Sequence, residues 1–328
     1  KVPFKLRFRA WWEGYDLNDI KERIRMLHGD GASPDDLPSD PAEFMTRTND
    51  LPEASAPAKE VVNSLPWSKL RIEMNQLIWG DGYCGPGGRE HIETMSKLLT
   101  MTSEMSAVVI GAGLGGPSRV LTEEFGVWIN GYELSKELAE QGMKMSVDAG
   151  LSTKAVIQHL DPEKKKPFER RYDRAFSKEA LYCFPNKSKI LKDVYDTLKN
   201  DALFLITDYT LSDASVLENK DVQTWIGQEA LTPYPVTAKK MQSELEKAGF
   251  SLRVNEDISE QYVHLIESSW AKAKVISEQL ATKGPEGTEA IKILMKEAEH
   301  WSLRAKLIKE GHIHVWRFLA FKHNEQLR

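Results

Sequence analysis

Cysteine is nearly absent: Cys84 and Cys183 are the two thiols in 328 residues. That excludes a disulfide framework and a four-thiolate zinc site, and it points to a reducing compartment, with the cytoplasm as the expected location. No apolar run approaches the roughly 18 residues of a membrane span. The basic start, Lys1 to Arg9, runs into Trp11 and Trp12 rather than into a signal-peptide core. Excess positive charge is missing as well: 44 Lys and Arg against 49 Asp and Glu leave a net charge of −5, so no basic field draws in nucleic acid. Metal-ligand spacing is lacking too. His312 and His314 alternate on a strand, His300 and His323 stand elsewhere, and no carboxylate or cysteine completes a set; no metal is expected.

Length allows one catalytic domain with an appended arm. Aromatic and basic residues fill Lys1 to Met26, and Leu17, Ile20, Ile24 and Leu27 recur at helical spacing. This segment is expected to pack on the body of the chain, with a bilayer surface or a second subunit as alternatives. From Ser33 to Pro66 six of the fifteen prolines gather with Asp, Ser and Ala, which predicts an extended arm. The expected division is therefore a helical segment and Pro-rich arm over 1–66, then one domain over 67–328.

Within 67–328, Arg89 to Leu99 reads as a helix. Ala107 to Ile110 is a strand running into glycines, Pro117 to Phe125 a helix, and Val127 to Tyr132 a strand closing on Glu133. Helix Lys136 to Ala149, strand Ala155 to His159, strand Arg174 to Phe176, helix Lys187 to Leu198 and strand Leu203 to Asp208 follow. This alternation specifies an α/β fold with a parallel sheet. The rest reads as a helix (Thr237 to Ala248), a strand (Ser251 to Asn255), a helical stretch from Glu260 to Lys309 and a strand from His314 to Phe321.

The loop Gly111-Ala112-Gly113-Leu114-Gly115-Gly116 lies between strand and helix, where glycines let backbone N–H groups approach a ligand. It satisfies the dinucleotide fingerprint through Gly111, Gly113 and Gly116, and Glu133, twenty residues past Gly113, suits a ribose. A nicotinamide cofactor and a nucleoside sulfonium both fit at this point. Asp161 after the third strand suits an adenine amino group, the fourth strand runs into Ser177-Lys178-Glu179-Ala180-Leu181, and the fifth ends in Ile206-Thr207-Asp208-Tyr209.

With these residues the sequence resembles the class I S-adenosylmethionine-dependent methyltransferases. Their Rossmann-like sheet ends in an antiparallel strand, a place that His314 to Phe321 suits. Trp79-Gly80-Asp81-Gly82-Tyr83-Cys84-Gly85-Pro86-Gly87-Gly88, Ile206 to Tyr209, and Thr237 to Phe250 with its Ala-Gly-Phe narrow the resemblance to the phosphoethanolamine N-methyltransferase group and its small-molecule relatives. It covers about Trp67 to Lys322. It implies a lid (67–100), a cofactor-binding core (101–256), a helical cap (257–311) and a final strand (312–323). It further implies S-adenosylmethionine at Gly111, Gly113 and Gly115, with Glu133 and Leu134 at the ribose, Asp161 at the adenine, Tyr83 and Gly88 closing over it, and Lys178 beside the methyl group. Trp79, Tyr234 and Tyr262 are expected on the acceptor side. Three departures matter: Val109 replaces the acid before the glycines, Trp67 the aromatic hydroxyl near the lid, and Cys183 the active-site histidine.

Methyl transfer from a sulfonium needs alignment and desolvation, and a base for protonated nucleophiles alone. The candidates for catalysis are Tyr209, Glu179, His264 and Cys183, the last as a small pocket thiol rather than a nucleophile. The acceptor is expected to be a small polar molecule or lipid head group, in the first place a phosphobase-like or amino-acid-like amine. S- or C-methylation of a thioether acid or prenyl lipid is the alternative, a non-catalytic cofactor-binding subunit the alternative of another class. A homodimer and peripheral membrane contact through the N-terminal segment complete the expected partners.

Overall fold

The computed structural model describes residues 66–324 apart from 165 and 169. The helical segment and Pro-rich arm expected over 1–66 lie, but for Pro66, outside the described residues, and with them the expected membrane and second-subunit contacts.

Helix α1 (Lys69–Trp79) is not among the expected elements. Its inward face carries Arg71 and Asn75 beside Ile72 and Ile78, all buried, so the face does not read as an apolar stripe. Ser68 caps it, its hydroxyl accepting from Arg71 N at 3.2 Å. Helix α2 (Gly88–Ser96) follows and ends in a tight turn, Lys97–Leu99.

The alternating core then runs β1 (Ser106–Ile110), α3 (Gly116–Phe125), β2 (Trp128–Glu133), α4 (Lys136–Asp148), β3 (Ala155–His159), β4 (Tyr172–Lys178), α5 (Lys187–Thr197) and β5 (Leu198–Leu211). A second unexpected helix, α6 (Lys220–Gln228), starts where Asn219 accepts from Asp221 N and Val222 N. The chain closes with β6 (Val236–Thr237), α7 (Ala238–Ala248), β7 (Ser251–Asp257), α8 (Ser259–Trp270), α9 (Ala273–Ala281), α10 (Gly284–Lys309) and β8 (Ile313–Phe321). The helical stretch expected as one piece is thus three helices. Gly284, at φ +64°, and Pro285 set the second break.

Among the described residues the strands form one sheet in the order β3-β2-β1-β4-β5-β8-β7, with β6 beside β5. β8 runs antiparallel to both neighbours and all other pairings are parallel. The expected α/β sheet with a reversed terminal strand is therefore present. β5 is longer than Leu203 to Asp208: it begins at Leu198, opposite Tyr172 of β4, and its pairing with β8 carries it through Leu211. Ala107 to Ile110 are fully buried at the sheet's centre, as a strand covered on both faces must be. From β1 the chain winds one way to β2 and β3, then returns to place β4 on the other side of β1. This reversal opens a crevice at the carboxyl ends of β1 and β4, where ligands of such sheets bind.

Candidate active site

A cleft occupies that crevice. Its floor is the glycine loop after β1. Gly111, at φ +74°, has no room for a side chain, since an added Cβ would stand 2.0 Å from Ala180 Cβ; Gly113, at φ +54°, faces open space. The loop between α1 and α2 lies over it: Gly116 N donates to Gly82 O at 3.1 Å, and Gly82 N to Gln76 Oε1 at 2.9 Å. Tyr83 is thereby held on the cleft wall, its buried hydroxyl without a partner. Burial pushes that phenol up to about 12, so it stays a neutral donor.

At the end of β2, Glu133 lines the cleft while 6% exposed. Its Oε2 accepts from Gly113 N at 2.8 Å and its Oε1 from Ser135 N at 2.9 Å. Burial raises its pKa, opposed by these backbone donors. Each oxygen keeps a lone pair and no Lys or Arg pairs with it among the described residues. Such a carboxylate suits the hydroxyl pair of a ribose, and the open space at Gly113 with the idle Tyr83 hydroxyl beside it fits the remainder of a nucleoside-bearing ligand.

Lys178 and Glu179 leave β4 on the opposite wall. Glu179 holds φ +44°, a left-handed conformation that costs a residue with a Cβ about 1–3 kcal/mol. Two bonds to β5 impose it: Glu179 N donates to Thr207 O at 2.7 Å, and Thr207 Oγ1 donates to Glu179 Oε1 at 2.6 Å. Lys178 Nζ donates to Glu179 Oε2 and, at 2.9 Å, to the Tyr262 hydroxyl.

The far end of the cleft is built from side chains. Glu297, His300, Trp301 and Arg304 follow one another at helical spacing on α10 and all line the cleft. Arg71 Nε donates to Glu297 Oε1 at 2.5 Å, both side chains buried, so α1 is tied to α10 by an ion pair. Arg304 donates to Glu229 Oε1, to His300 Nε2 at 2.6 Å and to the Tyr209 hydroxyl at 3.3 Å. Trp225 Nε1 donates to the same Glu229 oxygen at 2.7 Å. Burial alone would raise Glu229, but Arg304 outweighs it and holds the carboxyl down to about 2. Tyr209 meets Tyr182 edge-on at 5.3 Å and Trp225 at 6.0 Å, which gives this end aromatic walls.

The structure therefore brings Tyr83, Gly111, Gly113, Glu133, Leu134, Lys178, Glu179, Cys183 and Tyr209 to one cleft. It does not place there all that the sequence suggests. His264 is exposed on α8. Asp161 caps its own turn, Oδ1 accepting from Glu163 N at 3.0 Å. Gly88 opens α2, and Gly115 is the residue before α3. Trp79 packs behind the wall, 4.5 Å from the Trp301 ring; Tyr262 stands behind Lys178; and Tyr234 is 44% exposed, its backbone N donating to Tyr182 O. Both thiols line the cleft, Cys84 as well as Cys183, and burial pushes both well up, so neither is a thiolate nucleophile. Arg71, Tyr182, Glu229, Glu297, His300 and Arg304 are absent from the sequence-based set. The readable signal for four of the cleft residues was Glu-x-x-His-Trp-x-x-Arg, polar groups at one-face spacing in a helix that must bury that face.

Residues 89–296 match the model of a family described as mycolic acid cyclopropane synthetase. Phosphoethanolamine N-methyltransferase 1 of Zea mays is 25% identical over 211 residues, 64% of this chain and 41% of that protein; the chain spans about two fifths of that relative's length. Two solved structures share the fold. Phosphoethanolamine N-methyltransferase 2 of Haemonchus contortus in complex with S-adenosyl-L-methionine superposes with a TM-score of 0.64 at 17% identity, covering 77% of this chain and 57% of that one. For the cyclopropane synthase MmaA2 of Mycobacterium tuberculosis the TM-score is 0.63 at 18% identity, covering 78% and 95%.

Proposed function

The chain belongs to the mycolic acid cyclopropane synthetase family, and from that premise we propose that it is an S-adenosylmethionine-dependent methyltransferase acting on a small amine. The observation that carries this reading is Glu133, a buried carboxylate with no Lys or Arg partner among the described residues, held by backbone N–H groups beside a glycine loop with open space above Gly113. Glu133 would hold the ribose hydroxyls, the loop the amino-acid portion, and Tyr83 would donate to it. When bound, this cofactor supplies an electrophilic methyl group.

The chain's own residues then have three tasks. The aromatic walls, Tyr182, Tyr209 and Trp301, exclude water and present π faces to an ammonium. Glu179, strained toward the cleft and fixed by Thr207 and Lys178, uses a remaining carboxylate lone pair to take the proton of the ammonium, leaving the amine lone pair free. Lys178 and Tyr262 hold that carboxylate in place. The two unpaired thiols fit a reducing compartment, in line with the cytoplasm. No helix among the described residues is long and apolar enough to cross a membrane.

A second reading, methylation of a thioether, is favoured by one observation. Every titratable group at the far end is already engaged, Glu229 and His300 by Arg304, and a thioether needs no base. Mass spectrometry after incubation with S-adenosylmethionine and phosphoethanolamine, amino acids, thioether acids or prenylated phenols tests both. Gain of one methyl on an amine, with kcat lowered at least about 100-fold in Glu179→Gln and unchanged cofactor affinity, supports the first. Gain on a thioether, indifferent to that substitution, replaces it with the second.

A further inference from the structure

The charges on the cleft wall bear on which amine it accepts, an inference that rests on the methyltransferase reading above. Three cationic side chains line the cleft among the described residues, Arg71, Lys178 and Arg304, and each lies against a carboxylate that lines it too: Glu297, Glu179 and Glu229. All six side chains are nearly enclosed, the most exposed at 11%. At such separations opposite charges cancel for anything beyond them. Glu133 adds a fourth carboxylate without a cation. Among the described residues the wall therefore has no positive charge to spare.

A phosphomonoester carries close to two negative charges near neutral pH. Bringing it against Glu229 and Glu297 would strip its water and leave the charge unmatched, the costly case for a buried ion. What Arg304 retains is smaller. A guanidinium does not give up its proton, so Arg304 is the donor in its 2.6 Å contact with His300 Nε2. With Nη1 on Tyr209 and Nη2 on Glu229 and His300, the buried Nε–H is left without a partner. That donor is itself enclosed by protein, so an anionic far end meets no free cation here; a carboxylate brings about half the unmatched charge of a phosphomonoester and a hydroxyl brings none.

We infer that the cleft discriminates against a small amine in proportion to the negative charge at its far end and so excludes phosphomonoester amines, with Glu229 as the specificity-determining residue because it neutralises Arg304. Three compounds that share a 2-aminoethyl group and differ at the far end alone provide the test: β-alanine, ethanolamine and phosphoethanolamine. With the full chain and S-adenosylmethionine, kcat/KM is expected to be at least tenfold higher for β-alanine than for phosphoethanolamine. Glu229→Gln, which leaves Arg304 uncompensated, is expected to shift that ratio at least tenfold toward phosphoethanolamine. Circular dichroism and cofactor titration establish that the variant is folded. Calorimetric binding of the same compounds to the wild-type chain decides the matter where no methyl is transferred, tighter β-alanine supporting the inference. Wild-type preference for phosphoethanolamine, in turnover or in binding, overturns it. Failure to bind S-adenosylmethionine sinks the methyltransferase reading instead, and the binding comparison still stands.

Discussion

On the glycine-loop side the cleft is walled by backbone and a single buried carboxylate, Glu133; on the α10 side it is walled by interlocked ion pairs, Arg71 with Glu297 and Arg304 with Glu229. The first region leaves groups idle, the second satisfies its charges internally. A ligand entering the first finds a free carboxylate edge and open space, whereas one entering the second must fit around bonds already made. Recognition in the first half should depend on the ligand and in the second on the fold.

Removing Arg304 separates the halves most sharply. Arg304→Ala strands the Glu229 carboxylate in a buried site, a change that costs about 3–5 kcal/mol when one member of a buried pair is lost. Urea unfolding of the apo chain should show that loss. Cofactor affinity should move less than tenfold, because no Arg304 partner touches the glycine loop or Glu133. An equal loss of both would mean that the halves are one cooperative unit.

Acid probes the same pair. Glu229 ionises near 2 in the fold against an ordinary carboxyl value of 4.5, so between those values the unfolded chain binds a proton that the folded chain does not. Its stabilising contribution is complete above about pH 4.5 and is lost as pH falls toward 2, amounting to about 3 kcal/mol. Unfolding free energy measured against pH should therefore be flatter in Glu229→Gln by about one proton in that window. Glu133 acts in the opposite direction: its raised pKa means that the fold favours its protonated form and loses stability as pH rises through its titration.

The same difference explains what could be read in the sequence. A strand, a glycine loop and a helix are local, and the loop fixes where Gly111, Gly113 and Glu133 stand because backbone spacing alone places them. Tyr209 and Glu179 were legible for the same reason, the first inside β5 and the second just after β4, strands whose register the sheet dictates. The α10 wall was not. Arg304 meets Glu229 across 75 residues and Arg71 meets Glu297 across 226, contacts that no local pattern encodes. Asp161 and His264 lie outside the cleft lining for local reasons: a carboxylate after a strand serves equally well as a cap for its own turn, and a histidine in an amphipathic helix faces solvent unless a neighbour claims it.

Glu133→Ala is the smallest of these changes in its effect on folding and the most direct on the ligand. Truncation removes a carboxylate that has no cationic partner among the described residues, so unlike Arg304→Ala it leaves none of them with a stranded charge. What remains exposed are the N–H groups of Gly113 and Ser135, and the vacated space beside the open cleft admits water to serve them. Apo stability should fall by less than in Arg304→Ala. Cofactor binding should weaken by about 1–3 kcal/mol, the cost of leaving buried hydroxyls without a charged acceptor, which calorimetry reads as roughly a 5- to 150-fold rise in Kd. If S-adenosylmethionine bound the variant as tightly as the wild type, the ribose assignment would fail. If the apo chain lost as much stability as it does without Arg304, Glu133 would belong with the satisfied half of the cleft, and the division between the two would have to be redrawn.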